Sequence, residues 1–177
     1  MRLSGHQETT LHELGGFDHT VIPDRIEAGT FLVAGAIAGR EVTLKRVDPS
    51  HLIAVTDALT RSGYGIRVNG ENLTIIGNGA PKPLELTTEP YPGFPTDMQA
   101  QWTALMTMAK GASVITDTIY LDRFKHVPEM VRLGAEVELR DNSAIVRGGS
   151  QLTGAKVMST DLRASASLIL AGLAASG

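Results

Sequence analysis

A self-similarity at a fixed spacing constrains this chain more than any other feature. Gly63 and Gly134 lie 71 positions apart, as do Ile66 and Val137, and Gly77 and Gly148. Each glycine follows a helix-like stretch or closes a strand-like one. A spacing held over several landmarks means one structural unit used twice, each copy leaning on its neighbour. Within the units, Asp24 to Gly39 and Asp97 to Gly111 both open on an Asp, continue as an apolar, Ala-rich run and stop at a glycine. Asp in a first turn complements the helix dipole, and glycine past the last turn takes the left-handed stop. Thr96 and Gln99 also have the spacing of a capping box. A third such run starts at Asp161 and reaches Gly177. Each run is expected to be a helix of about four turns.

The intervening segments also correspond. Val42–Leu44 and Val114–Thr116 read as short strands, followed by helices from about Ser50 to Arg61 and from about Phe124 to Arg132. Ile66–Val68 with Leu73–Gly77, and Val137–Leu139 with Ala144–Gly148, alternate with period two and are joined by Asn69-Gly70 and by Asp141-Asn142-Ser143. Two hairpins are expected there. Leu84–Thr87 and Lys156–Met158 are candidate leading strands. The unit is therefore β-α-β-α-β-β, of roughly 70 residues. The expected organisation is one domain-type fragment over 1–177, with units at about 14–83 and 84–155 and a partial third at 156–177. Helices apolar nearly all round are buried, so the first helix of each unit should form an inner core with sheets outside it. A buried helix without completing strands suggests a part of a longer protein, or a half that works with a partner.

Composition narrows the function. The 177 residues are 42% hydrophobic and 20% charged, with a formal net charge of -3. A mildly acidic chain without a basic block is a poor nucleic-acid binder. Zero cysteines exclude thiolate metal ligands and a cysteine nucleophile from this chain. The opening Met1–Gln7 has no apolar h-region, so no signal peptide is expected. The longest apolar run, Ala164–Ala175, is interrupted and too short to span a bilayer. His6, His12, His19, His51 and His126 lack metal-ligand spacing, and no glycine-rich phosphate loop occurs. Met98, Met106 and Met108 read as core packing. No metal and no cofactor is expected.

Four segments, His19-Thr-Val-Ile-Pro-Asp-Arg-Ile-Glu-Ala-Gly-Thr-Phe31, Pro92-Gly-Phe-Pro-Thr-Asp-Met-Gln-Ala-Gln101, Arg123-Phe-Lys-His-Val-Pro-Glu129 and Thr160-Asp-Leu-Arg-Ala-Ser-Ala-Ser167, resemble the C-terminal half of the UDP-N-acetylglucosamine 1-carboxyvinyltransferase family of enolpyruvyl transferases. The likeness runs from about Leu14 to Gly177. It implies an α/β fold, the EPSP synthase-like inside-out α/β barrel, in which two domains are each built from three β-α-β-α-β-β units. This chain would hold two units of one domain and an incomplete third, and the N-terminal domain would be a missing partner. The implied reaction, in peptidoglycan synthesis in the cytoplasm, moves the enolpyruvyl group of phosphoenolpyruvate onto the 3'-hydroxyl of UDP-N-acetylglucosamine. The family's cysteine acid and its lysine belong to the other domain. No membrane and no nucleic acid are implied.

The same resemblance assigns residues. Asp97 matches the aspartate that hydrogen-bonds the sugar hydroxyl and takes its proton; from the residues alone it reads first as a first-turn Asp complementing a helix dipole, and the resemblance reverses that order. Asp161, with Arg163, matches an aspartate near the reacting atoms, and otherwise reads as a helix cap. Asp24 and Arg25 are the first-unit counterparts, implied to serve orientation and closure. Ile119 matches a position whose backbone binds the UDP-sugar, with a side chain expected to face the core. Tyr120-Leu121 departs from the family, where Phe and an acidic residue are expected. Arg123 matches a cleft arginine, and otherwise reads as a solvated residue before a helix. Lys110 and Lys125 read as solvated. Two alternatives stay open: a non-catalytic folded fragment, and an EPSP synthase-type enzyme whose acceptor is shikimate 3-phosphate. The second needs extra cations, and the chain shows no surplus of them.

Overall fold

Asp24 starts the first helix by satisfying its free N–H groups: its carboxylate accepts from the backbone of Ile26 at 2.7 Å and of Glu27 at 3.1 Å, as an N-cap does. Helix α1 (Arg25–Ala38) then runs to Gly39, whose φ of 63° closes it in the left-handed region. The computed structural model describes Gly16, residues 18–159 and residues 161–177. Met1–Gln7, His12, Leu14 and Thr160, on which several of the expectations above fall, lie outside the described residues.

After α1, strand β1 (Glu41–Leu44) is followed by a 3-10 turn (Pro49–Leu52) and helix α2 (Ile53–Arg61), then by the hairpin β2 (Gly65–Asn69) and β3 (Asn72–Ile76). The sheet is antiparallel in the order β1-β3-β2, with Val42 opposite Ile75 and Ile66 also opposite Ile75. Central β3 is the buried one, and Leu73 and Ile75 are fully enclosed. Strand β4 (Glu85–Thr87), a 3-10 turn (Thr96–Met98), helix α3 (Gln99–Met106), strand β5 (Ala112–Thr116), helix α4 (His126–Arg132) and the hairpin β6 (Glu136–Arg140) and β7 (Ser143–Arg147) follow. They form a second sheet in the order β4-β5-β7-β6, parallel only between β4 and β5. Helix α5 (Leu162–Ala174) comes last.

The 71-residue spacing has a backbone meaning. A Cβ on Gly77 would stand 2.4 Å from the carbonyl carbon of Gly39, and one on Gly148 would stand 2.1 Å from the carbonyl oxygen of Ala109. In both places the chain leaving the hairpin passes against the end of the first helix of its unit, and only glycine fits. The hairpin loops also agree. Gly70, at φ 56°, is matched by Asp141, at φ 51°, and Asp is among the few residues that take this conformation locally.

Helices α1, α3 and α5 pack on one another, with both sheets outside them. Every residue of α3 is buried. Trp102 fills the centre, its ring 5.4 Å from that of Phe94 in an edge-to-face arrangement, and Gln101 ties α3 to α1 through a 3.1 Å bond to Thr30.

Four local expectations are corrected. Thr96 and Gln99 form no capping box, because the Thr96 hydroxyl donates to Asp117 at 2.7 Å instead. Helix α3 is eight residues long rather than four turns. Its continuation is diverted because Thr107's carbonyl accepts from Ser150 at 3.2 Å and Lys110's N–H donates to Pro81 at 3.2 Å. Lys156–Met158 is no strand: the N–H of Met158 donates to the Glu129 carboxylate at 2.9 Å. The strand expected to lead into α1 falls on residues outside the described ones. Helix α5, unlike α3, keeps an apolar side in solvent, with Leu162 80%, Ile169 69% and Leu173 56% exposed.

Candidate functional site

Three aspartates begin the three inner helices, and they do not do the same thing. Asp24 caps α1, and Asp161 caps α5 by accepting from the N–H groups of Arg163 and Ala164, both at 2.9 Å. Asp97, in the 3-10 turn before α3, caps nothing. Its Oδ1 accepts from Arg123 Nη1 at 2.8 Å and from Arg163 Nε at 2.5 Å. Two guanidiniums from distant parts of the chain converge on one carboxylate. Burial pushes the Asp97 carboxyl up, but hydrogen bonds and charge from Arg163, then Arg123, outweigh it and hold it below the usual carboxylate range. It therefore stays ionised and is an acceptor first and a weak base second.

Arg123 is held from two sides. Its Nη1 also donates to Thr96 Oγ1 at 3.0 Å, and its guanidinium lies 4.3 Å over the Tyr120 ring, a cation–π contact. Asp161 is kept ionised chiefly by the N–H of Ala164, with burial opposing, and then by Arg163 N–H, His126 and Lys125. Ile119, Tyr120, Leu121, Asp122, Arg123, Lys125, Asp161 and Arg163 surround an open pocket of about 510 Å³, with Asp97 bonded into its wall. Cations and carboxylates thus alternate round a cavity with an apolar rim, which suits a polar ligand carrying both hydroxyls and negative charge.

The structure brings together Asp97, Ile119, Arg123, Asp161 and Arg163. Asp24 and Arg25 do not join them. Asp24 borders a separate groove of about 1190 Å³ between α1 and the β1 turn, and Arg25 stacks over Tyr91 at 5.0 Å. The smaller pocket is the better candidate, because its Arg123 and Arg163 are part-buried and both fixed on the Asp97 carboxylate, whereas most charged side chains of the larger groove are exposed. Ile119 does not face the core: it is 37% exposed at the pocket, because its N–H is drawn to Asp117 at 2.9 Å. Lys110 and Lys125 are exposed, although Lys125 borders the pocket.

Two groups were missed from the sequence. Asp117, fully enclosed, bonds to Thr88 and Thr96 beneath the site; a polar residue closing an apolar strand before a turn was its only signal. His126 is 2% exposed and its Nε2 has no hydrogen-bond partner. Burial pushes its imidazole down to about 4, with the Asp161 charge opposing. Among the described residues no group of acids, histidines or cysteines is placed to hold a metal ion, and no helix is long and apolar enough to cross a membrane.

A sequence model of the EPSP synthase (3-phosphoshikimate 1-carboxyvinyltransferase) family matches residues 1–177. The UDP-N-acetylglucosamine 1-carboxyvinyltransferase of Chlorobium phaeovibrioides is 57% identical over 154 residues, covering 87% of this chain and 36% of that protein. UDP-N-acetylglucosamine 1-carboxyvinyltransferase 2 of Bacillus subtilis is 52% identical over 166 residues, covering 93% of this chain and 39% of that protein. The chain thus spans less than two fifths of the length of these curated relatives. Among solved structures, the enolpyruvyl transferase NikO from Streptomyces tendae superposes with a TM-score of 0.80 at 29% identity, covering 89% of this chain and 38% of that one. EPSP synthase from Acinetobacter baumannii superposes with a TM-score of 0.69 at 20% identity, over 90% of this chain and 38% of that one, a likeness of fold.

Proposed function

Because this chain belongs to the EPSP synthase (3-phosphoshikimate 1-carboxyvinyltransferase) family, we propose that it carries the acceptor-sugar site of an enolpyruvyl transferase acting on UDP-N-acetylglucosamine and phosphoenolpyruvate in cytoplasmic peptidoglycan synthesis. The observation that carries the reading is the Asp97 carboxylate, fixed by Arg123 and Arg163 at a pocket bounded by Ile119. Names and identities support the acceptor: relatives at 57% and 52% are named for the UDP-sugar, whereas the EPSP synthase is 20% identical.

In this reaction the sugar hydroxyl adds to C2 of the enol while a proton goes to C3. Phosphate then leaves C2 as C3 loses a proton, which regenerates the double bond. In this reading Asp97 accepts the hydrogen bond of the 3'-hydroxyl and orients its oxygen. Its low basicity makes positioning the first task, and proton acceptance follows as the guanidiniums withdraw toward substrate anions. Asp161, Arg163 and Arg123 complete the anion-facing wall. Asp24 and Arg25, away from the pocket, serve orientation of the remaining part of the enzyme. The repeat units 14–83 and 84–155, with 156–177 opening a third, supply one domain, and a second domain supplies the cysteine and lysine.

Calorimetric titration of the purified chain tests this. Heat on adding UDP-N-acetylglucosamine and none on adding shikimate 3-phosphate is the expected result. Tighter binding of shikimate 3-phosphate would overturn the reading in favour of an EPSP synthase-type acceptor.

A further inference from the structure

The proposed chemistry makes no use of Asp117, yet no carboxylate in the region is more heavily committed. It lies at the end of β5 with no exposure to solvent. Oδ1 accepts from the Thr88 hydroxyl at 2.8 Å and from the N–H groups of Ile119 and Tyr120 at 2.9 and 3.0 Å, and Oδ2 accepts from the Thr96 hydroxyl at 2.7 Å. Its own backbone is clamped by Asn142, which accepts from the Asp117 N–H at 2.8 Å and donates Nδ2 to the Asp117 carbonyl at 3.1 Å. No Lys or Arg among the described residues pairs with it. A carboxylate enclosed without a counter-charge is costly unless several donors satisfy it. Here four donors do, and two of them, Thr96 and Tyr120, lead to Arg123 at the pocket.

The direction of each hydrogen bond decides what Asp117 does. A hydroxyl has one proton. Thr96 gives its proton to Asp117, so only lone pairs are left facing Arg123, whose Nη1 donates to Thr96 at 3.0 Å and to Asp97 at 2.8 Å. The bond to the Tyr120 N–H sets the turn that brings the Tyr120 ring under the same guanidinium at 4.3 Å. Both supports of Arg123 therefore trace back to one carboxylate. We infer that Asp117 is a positioning residue of the acceptor site: it fixes Thr96 as an acceptor and the 118–120 turn as a shelf, so that Arg123 stays docked on Asp97. The inference rests on the proposed function only for its ligand readout.

The test compares the full chain with Asp117→Asn, Thr96→Val, both together, and Asp117→Ala. Asn keeps an oxygen for the Ile119 and Tyr120 N–H groups but turns an NH2 toward Thr96, which breaks the Thr96 arm alone. The first readout needs no ligand: the 13C titration of the Asp97 side chain, which faces Arg123 and Arg163, with Lys125 and Asp161 on the same pocket and His126 enclosed close to Asp161. Its midpoint should rise in Asp117→Asn and in Thr96→Val as Arg123 undocks. The double variant should do no more than either single one, since both act through one bond. Amide exchange at Ile119 and Tyr120 should stay slow in Asp117→Asn and become fast in Asp117→Ala. The second readout is affinity for UDP-N-acetylglucosamine, expected to fall about tenfold in either single variant, the size of one charge-assisted hydrogen bond. An Asp97 midpoint unchanged in Asp117→Asn, or effects of Asp117→Asn and Thr96→Val that simply add, would overturn the inference, even if the variants melt earlier. If the wild-type chain bound no UDP-sugar, the proposed function would fall while the Asp97 titration still decided the role of Asp117.

Discussion

Arg163 reaches back from the first turn of α5 to place its Nε 2.5 Å from Oδ1 of Asp97, joining residues 66 positions apart. The contact diverts Asp97 from the capping role that its counterparts Asp24 and Asp161 perform. It also couples α5 to the turn before α3, so the pocket is complete only when both are in place.

Replacing Asp97 by Ala removes the acceptor and frees both guanidiniums. Affinity for UDP-N-acetylglucosamine should fall about tenfold or more by calorimetry. Thermal stability should change by about 1 kcal/mol or less, because the pair is partly exposed. Unchanged affinity would remove Asp97 from the site.

His126 sets a pH dependence. Its imidazole takes a proton near 6.5 when unfolded but only at about 4 when folded. Between these values the unfolded chain holds more protons, so stability rises with pH across the window and falls as pH drops from 6.5 to 4. The loss is on the order of 3 kcal/mol by pH 4. Denaturant titrations at several pH values should show this slope in the wild type and a flatter one in His126→Leu. The same slope in both would contradict the assignment.

Two glycines should respond in opposite directions. Gly148→Ala drives a methyl into the Ala109 carbonyl, 2.1 Å away, whereas the Gly172 position in α5 has nothing within 4 Å. Gly148→Ala should lower the unfolding midpoint sharply. Gly172→Ala should raise stability by about 0.5–1 kcal/mol, since glycine is costly inside a helix. Equal effects in a thermal melt would show that the hairpin does not pass against the end of α3.

The purified chain by itself should release no phosphate from phosphoenolpyruvate and UDP-N-acetylglucosamine. It has no cysteine to protonate the enol carbon, and Arg123 and Arg163 are engaged by Asp97. A colorimetric phosphate assay checks this. Release that disappears in Asp97→Ala would show that the chain holds a complete active site.

The two hairpins and the caps of α1 and α5 were legible in the sequence because local rules act there: period-two alternation and an aspartate at a helix start each leave a mark within a few residues. Gly77 and Gly148 were legible only through the 71-residue repeat, because the backbone each passes against, at Gly39 and at Ala109, is far along the chain. Asp97, Arg123 and Arg163 were legible as candidates only through a family likeness. What was not legible depended on partners far along the chain. Thr96 looks like a capping-box residue until Asp117, 21 positions on, takes its proton. Helix α3 looks four turns long until Ser150 and Pro81 bond to its tail. Ile119 reads as core until Asp117 turns it outward. The side of α5 left in solvent is itself apolar, at Leu162, Ile169 and Leu173, so the pattern of the helix does not mark it.

The most direct measurement is a 15N-labelled titration of the chain with UDP-N-acetylglucosamine, following backbone amide shifts. The account predicts perturbations concentrated at Thr96–Met98, Ile119–Lys125 and Asp161–Ala164, the segments that build the Asp97 pocket. Shifts confined to the groove of Lys45–Pro49 beside α1, or none at saturating sugar nucleotide, would contradict it.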